Sequence, residues 1–434
     1  MKVVKLDELV AEEKVRLINR CMLDFSSIEH EVADIINRVR ERGDAEIVDF
    51  YRRFFGQEVL TKEKIKISSE EIKNAYEHVP ERLIEALKVS AENIEKFHRS
   101  QLPPQLFINE IRRGLYAGRV VKPLDSVGIY VPGGRASYPS TALMAAIPAK
   151  VAGVPRILAC TPPREDGTVE PAILVALDIA GAKEVYRVGG VHAAAAMAFG
   201  TETIPKVLKI VGPGGAWFTA AKLLLMTFVS IDMIAGPSEI LIIADGSADP
   251  EFLAWDLAAQ AEHDLAASPL LLTNSKKLAE EVSRTLDMVV ESSPRKNIIK
   301  ESLNRNGVII LVNDLDEAFE FANEYAAEHV EVIADMSMVE VLSKLRNAGS
   351  ISIGPCTPVA LEDYVAGPNH ILPTSGWAKT RGGLSVHDYL KLVSVLLAEK
   401  DGLEELGRFA VEMAEAEGLY AHAGSIAVRL KRNA

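Results

Sequence analysis

Between Asp125 and Gly246, short apolar runs alternate with stretches rich in small residues, and this rhythm restricts the fold more than any other feature. Val127–Val131 is followed by Ser140–Val151, Arg156–Ala159, Val169–Ile179 and Glu184–Val188. Strand and helix patterns in this order predict parallel α/β units. Three glycine-rich turns each follow an apolar run and precede an expected helix: Pro132-Gly133-Gly134, Gly189-Gly190 and Gly212-Pro213-Gly214-Gly215. Backbone amides at such turns can approach a phosphate. None is a G-x-G-x-x-G sequence, and each alone reads equally well as a tight left-handed turn. Three in one block favour a nucleotide site.

A second series follows. Glu239–Ala244 reads as a strand and Asp249–Asp264 as a helix. Then come Leu270–Thr273 (strand), Ser275–Ser292 (helix), Gly307–Val312 (strand) and Asp314–Ala326 (helix). Residues 1–100 are mostly helical in pattern, with Ile28, Val32, Ile35, Ile36 and Val39 at helical spacing. Arg112–Arg119 reads as a strand or hairpin. Ser385–Glu399, Leu403–Glu417 and Ala421–Arg432 read as helices too few to bury their apolar sides alone, so they must pack on the body or on a partner chain.

The net charge of −13 disfavours nucleic acid, whose phosphates need a basic surface. The three cysteines, Cys21, Cys160 and Cys356, form no C-x-x-C and no disulfide framework, which suits a reducing cytoplasm. The N-terminus is charged throughout, unlike a signal peptide. The most apolar stretch, 142–154, is broken by Pro148, Lys150 and Gly153, so no membrane span is expected.

Four places carry polar chemistry. Asp249 caps a helix with Pro250 at its first position, and Gln260 and His263 share one side of its C-terminal end, where carbonyls favour a cation. Glu328 and His329 are adjacent at a helix-to-strand junction, where an imidazole of ordinary pKa can take and return a proton. Asp363 lies in a helix expected to start with Thr357 as cap and Pro358 at the first position. Glu417 and His422 sit between two C-terminal helices. Each residue alone has a structural reading: a surface amide, a cap, a solvated acid. Together Gln260, His263, Asp363 and His422 offer nitrogen and oxygen ligands without sulfur, which suits zinc in an open site and also manganese, cobalt or iron.

At these residues the chain resembles the histidinol dehydrogenase family. The resemblance rests on Val127-Gly-Ile-Tyr-Val-Pro-Gly-Gly134, Ile231-Asp-Met-Ile-Ala-Gly-Pro-Ser-Glu239, Gln260-Ala-Glu-His263 and Asn323-Glu-Tyr-Ala-Ala-Glu-His329. Asn369-His370-Ile-Leu-Pro-Thr374, Gly383-Leu-Ser-Val386 and Glu417-Gly-Leu-Tyr-Ala-His422 continue it through nearly the whole chain. It implies oxidation of L-histidinol to L-histidine through a bound aldehyde, with two hydrides passed to nicotinamide adenine dinucleotide (NAD). It implies a zinc ion in each subunit on Gln260, His263, Asp363 and His422, with Glu328 and His329 as the acid–base pair. His329 would take the alcohol proton and Glu328 would activate water for the aldehyde step. Ser238, His370 and Glu417 would join Gln260, His263, His329, Asp363 and His422 around the substrate. Tyr130, His192 and Gly215 would line the NAD site, although His192 and Gly215 stand where many members carry Gln and Asn.

The implied architecture is α/β, with two related, incomplete Rossmann-like domains and small terminal helical segments that intertwine in a homodimer with shared active sites. Residues 1–25 would be an N-terminal arm. Residues 26–129 and 239–381 would form the first domain, 130–238 the second, and 382–434 a C-terminal helical arm reaching the partner. Two other activities fit the polar set. One is a related zinc- and NAD-dependent dehydrogenase of another primary alcohol, such as a sulfonated diol. The other is a zinc hydrolase using Glu328 as base.

Overall fold

The structure, a computed structural model, describes residues 1–20, 25–57, 59–133 and 137–433. Cys21 and Gly134 lie outside the described residues. In chain order the strands are β1 (Lys2–Lys5), β2 (Leu106–Arg112), β3 (Leu115–Pro123), β4 (Val127–Tyr130), β5 (Ile157–Cys160), β6 (Glu184–Tyr186) and β7 (Lys209–Val211). They continue with β8 (Ser230–Ile231), β9 (Glu239–Ala244), β10 (Ser268–Thr273), β11 (Val308–Leu311), β12 (His329–Ile333), β13 (Ser350–Ile353) and β14 (Leu390–Ala398). A six-stranded sheet has the order β1-β11-β10-β9-β12-β13, and a five-stranded sheet the order β6-β5-β4-β7-β8. Every pairing between the named strands of both sheets is parallel. With β1 set aside, each sheet runs third, second, first, fourth, fifth in its own chain order. This is the doubly wound arrangement, and its direction reverses beside β9 in one sheet and beside β4 in the other.

Burial explains why these runs are strands. Along β9, Ile240 and Ile242 face the helices Pro250–Ala261 and Lys276–Ser292, while Leu241 and Ile243 face the helix Leu315–Tyr325. The period of two sends alternate residues into two cores, so an unbroken apolar run is required. Each such side chain contributes about 1.5–3 kcal/mol by leaving water. In the five-stranded sheet, a Cβ on Gly128 would meet Met197 Sδ at 2.5 Å, so the glycine leaves room for the Met197 side chain of the helix Gly190–Phe199 against the sheet.

The helices between 29 and 99 pack on the five-stranded sheet. Val32, Ile36 and Tyr51 share a core with Ala193 and Ala194, and Leu87 and Ile94 share one with Leu143 and Ile147. This differs from the expected grouping of 26–129 with 239–381. Periodicity shows that a helix has an apolar face but not which sheet the face covers.

The hairpin expected near Arg112–Arg119 is β2 and β3, and β14 joins it to make an antiparallel sheet, β14-β3-β2. The helix expected at Ser385–Glu399 is absent. Val386–Tyr389 forms a 3-10 turn, and β14 then pairs with β3 from Leu390 opposite Pro123 to Ala398 opposite Leu115. The 382–434 segment is therefore a strand followed by the helices Lys400–Ala416 and Tyr420–Asn433, not a helical arm throughout. Apolar residues such as Leu390, Val393 and Leu397 satisfy a helical period as well, and only the distant partner β3 decides between the two forms. No described helix is long and apolar enough to cross a membrane.

Candidate active site

The helix Pro250–Ala261 starts as its sequence dictates. Asp249 accepts a hydrogen bond from the Glu251 amide at 2.8 Å, and Pro250 occupies the first turn. The helix returns across the sheet to the amino end of β10, which leaves buried Gln260 on its last turn and His263 just beyond. The helix Leu315–Tyr325 does the same for β12. Ala326 breaks it in the left-handed region, at φ 52°, and the chain turns through Glu328 into His329, the first residue of β12.

Asp363 is presented differently from expectation. Pro358, not Thr357, is the cap residue, and the Thr357 hydroxyl donates to Ile353 O at 2.9 Å. Val359–Leu361 makes a single turn that widens into a π-helical turn, Glu362–Ala366, closed by Gly367 at φ 112°. Without a side-chain acceptor at the cap, the first turn is held by its own backbone. Turns of this wide kind recur at functional sites.

These elements converge. Asp256, Gln260 and His263 line one pocket with Val359, Asp363 and Tyr364. His329 Nε2 lies 3.8 Å from Asp363 Oδ1. Glu328 Oε2 accepts from the Glu239 amide at 2.8 Å. His370 donates from Nδ1 to Asp363 O at 2.8 Å, and its Nε2 is 3.2 Å from Thr141 Oγ1 on the helix Pro139–Val151. The segment 369–374 thus ties the pocket to the five-stranded block. Asn369 donates to Met144 O at 2.6 Å, and Gly236 N donates to Thr374 Oγ1 at 2.5 Å. Ser238 lies at the head of β9, its carbonyl bound by the Ser268 amide.

Burial governs the charges. It pushes the Asp363 carboxyl up to about 7, with repulsion from Glu362 adding to the effect. It pushes Glu328 well above the ordinary range and holds His329 down to about 3 and His370 to about 4. Acids that resist ionisation surround imidazoles that resist protonation, so the site is short of positive charge. A cation among Gln260, His263 and Asp363 would lower the Asp363 pKa and accept a neutral imidazole nitrogen. This donor set fits zinc.

The single chain does not assemble every expected ligand. Among the described residues, no group of three or more His, Cys, Asp or Glu gathers at metal-binding distance. His422 is exposed on the helix Tyr420–Asn433, and Glu417 is exposed at the turn before it. Neither lines the pocket.

The expected cofactor residues gather at the carboxyl edge of the five-stranded sheet. Tyr130 ends β4, stacks on Phe218 at 3.9 Å, and its hydroxyl accepts from the Gly190 amide at 3.1 Å. Gly215 caps the helix Ala216–Leu225 after β7, and nothing lies within 4 Å of a Cβ placed there. His192 stacks on Phe50 at 4.0 Å, with Nε2 buried and unpartnered. Strands β4 and β7 flank the reversal of strand order, where doubly wound sheets open a crevice. Two helix amino ends and an open glycine there suit an anionic dinucleotide.

Three contributors were not expected. Glu239 heads β9, Thr141 meets His370, and Arg20 reaches Glu239. Glu239 carried one signal: a carboxylate at the head of the apolar run Ile240–Ala244 must have a buried partner.

The chain is similar to named proteins over its whole length. The family model described as histidinol dehydrogenase matches residues 18–430. A histidinol dehydrogenase of Methanothermobacter thermautotrophicus is 49% identical over 431 residues, covering 99% of each chain. One from Clostridium acetobutylicum is 48% identical over 397 residues, covering 92% of this chain and 91% of that protein. The crystal structure of histidinol dehydrogenase from Elizabethkingia anophelis superposes with a TM-score of 0.94 at 36% identity, covering 100% of this chain and 98% of that one. Sequence and fold agree: the chain belongs to the histidinol dehydrogenase family.

Proposed function

We propose that this protein oxidises L-histidinol to L-histidine. The carrying observation is that Gln260, His263 and Asp363 share one pocket, with His329 3.8 Å from Asp363 and Glu328 beside it in the chain. Bound NAD supplies a hydride acceptor, and bound zinc supplies a fixed positive charge that nitrogen groups of the substrate can ligate. Gln260, His263 and Asp363 would hold the metal, with His422 from a second copy of the chain. Tyr130, His192 and Gly215 would line the dinucleotide.

The remaining chemistry belongs to side chains. In the first step the carbinol carbon loses a hydride and the hydroxyl loses its proton to His329, giving the aldehyde. Burial keeps His329 unprotonated but lowers its basicity, and Asp363, 3.8 Å away, is placed to offset that by stabilising the imidazolium that forms. In the second step Glu328 takes a proton from water as the oxygen bonds to the aldehyde carbon. The resulting hydrate anion then loses a second hydride to the nicotinamide acceptor and becomes the carboxylic acid, which ionises to the carboxylate. The raised pKa of Glu328 makes its carboxylate a stronger base than an exposed one. Ser238, His370 and Glu417 complete the substrate contacts, and holding the aldehyde prevents its escape.

The exposed apolar surface supports a homodimer. β2 is exposed along its whole length, with Leu106, Phe107, Ile108 and Ile111 uncovered, and β14 exposes Leu392, Val393, Leu396 and Leu397. A three-stranded sheet this open needs a cover, and a second copy of the same arm provides one. That packing would carry Glu417 and His422 into the neighbouring pocket. The cytoplasm is the compartment that fits three cysteines with no disulfide framework.

The test is an assay of L-histidinol with NAD and with NADP on protein stripped by a chelator and then reloaded with zinc. The expected result is two NADH per histidinol, abolished by stripping and restored by zinc. No turnover of histidinol by zinc-loaded protein would favour another alcohol. A hydrolytic activity with no NAD binding by calorimetry would favour the zinc hydrolase.

A further inference from the structure

Glu239 is fully buried at the head of β9, and three donors converge on it. Arg20 Nη2 reaches Oε2 at 2.6 Å, the Glu328 amide reaches Oε2 at 3.3 Å, and the Ser375 amide reaches Oε1 at 2.9 Å. The Glu239 amide in turn donates to the Glu328 carboxylate at 2.8 Å. Each glutamate therefore binds the other's backbone. Arg20 acts on the same turn from its other side: Nη1 donates to Tyr325 O at 3.0 Å, and the guanidinium lies 3.2 Å from the centre of the Tyr325 ring.

The turn bracketed in this way is strained. Ala326 and Ser375, at φ 52° and 57°, are the non-glycine residues with positive φ among the described residues. Ser375 is bonded to Glu239 through its own amide. Ala326 lies between Tyr325, held by Arg20, and Glu328, held by Glu239. Backbone of this kind persists only where its surroundings over-determine it. Burial holds the Glu239 carboxyl above the ordinary range, and the Arg20 guanidinium bonded to it at 2.6 Å opposes that rise.

We propose that the Arg20–Glu239 ion pair is the positioning element for Glu328, fixing the Tyr325–Glu328 turn so that the carboxylate meets the water it activates. The pair touches no reacting atom. This inference rests on the reading that Glu328 activates water.

The experiment uses zinc-loaded protein carrying E239Q, R20M, R20K or E328Q, each supplied with L-histidinol or directly with L-histidinal. In E239Q, one amide oxygen must replace two carboxylate oxygens for three donors. The expected result is a loss of aldehyde turnover of roughly 10²-fold, the scale of a 1 Å misplacement. The KM for histidinol and the zinc content stay within about twofold of wild type. R20M follows E239Q, and R20K, which keeps the charge, recovers part of the loss. The R20M/E239Q double variant loses less than the product of the singles, because no orphaned buried charge remains. Hydrogen exchange over 325–329 rises in E239Q, independently of turnover. Equal losses in both steps, or a raised KM with lost zinc, would make the pair merely structural and overturn the proposal. Should E239Q fail to fold, the R20M and R20K comparison carries the same decision. The E328Q arm separates the two ideas. If E328Q does not harm the aldehyde step selectively, the water-activation reading falls and this inference falls with it. If E328Q is selective and E239Q is not, only the positioning role falls.

Discussion

The two parallel sheets share one strand order but carry their candidate chemistry at opposite edges. In the five-stranded sheet the expected cofactor residues follow the carboxyl ends of β4 and β7, beside the reversal of strand order. In the six-stranded sheet Glu239 and His329 head β9 and β12, and Gln260 and His263 precede β10, so the polar cluster lies at the amino edge. The difference follows from which helix ends arrive there. Helices begin at the carboxyl edge, so it offers unpaired amides and partial positive charge, which suit phosphate. Helices finish at the amino edge, so Pro250–Ala261 and Leu315–Tyr325 bring carbonyls and partial negative charge, which suit a cation and imidazoles. One folding unit used twice thus offers one edge suited to an anion and one suited to a cation, and the 369–374 segment joins them.

The largest effect is expected if the amino edge is incomplete in one chain. His422→Asn and Glu328→Gln proteins should each lose roughly 10²-fold or more in histidinol turnover, the usual scale for a missing base or ligand. Mixed after dissociation, they should recover about a quarter of wild-type activity, because each heterodimer would hold one intact site. No recovery after verified subunit exchange would put His422 in its own chain's site.

A smaller effect concerns the carboxyl edge. Burial holds His192 down to about 3, with repulsion from Arg38 and Arg53 adding to it. The unfolded chain takes this proton near pH 6.5 and the folded chain does not, so stability is full above 6.5 and falls as pH drops towards 3. The slope for one group is at most about 1.4 kcal/mol per pH unit. Urea melts should show wild type losing up to about 2 kcal/mol more than His192→Gln between pH 6.5 and 5. Parallel curves would mean that water reaches His192 and that the wall behind the crevice is open.

Local signals were legible where they were self-contained. Asp249 and Pro250 specify a helix start without help from elsewhere, and the adjacent Glu328 and His329 must travel together wherever their junction goes. The alternating runs gave both parallel sheets. Information that belongs to pairs of distant segments was not legible. β14 is a strand only because β3 lies beside it, and Ser385–Glu399 satisfies a helical period equally well. Asp363 reaches the pocket through a π turn that its sequence does not announce. Arg20 is an ordinary arginine until Glu239 is folded against it, more than two hundred residues later in the chain. The resemblance named Gln260, His263 and Asp363, which line the pocket, and His422 and Glu417, which in the single chain do not; it did not name the Arg20–Glu239 pair.

The most direct test of the division between edges measures two bindings on two variants. Asp363→Asn removes a charged donor from the amino edge. Gly215→Asp adds a negative charge at the carboxyl edge, at φ −68° and in open space, so the fold should accept it. Zinc content by atomic emission and NAD binding by calorimetry are read on each. Asp363→Asn should lose zinc and keep NAD, while Gly215→Asp should lose NAD and keep zinc. Loss of both ligands in both variants, or of neither in either, would contradict it.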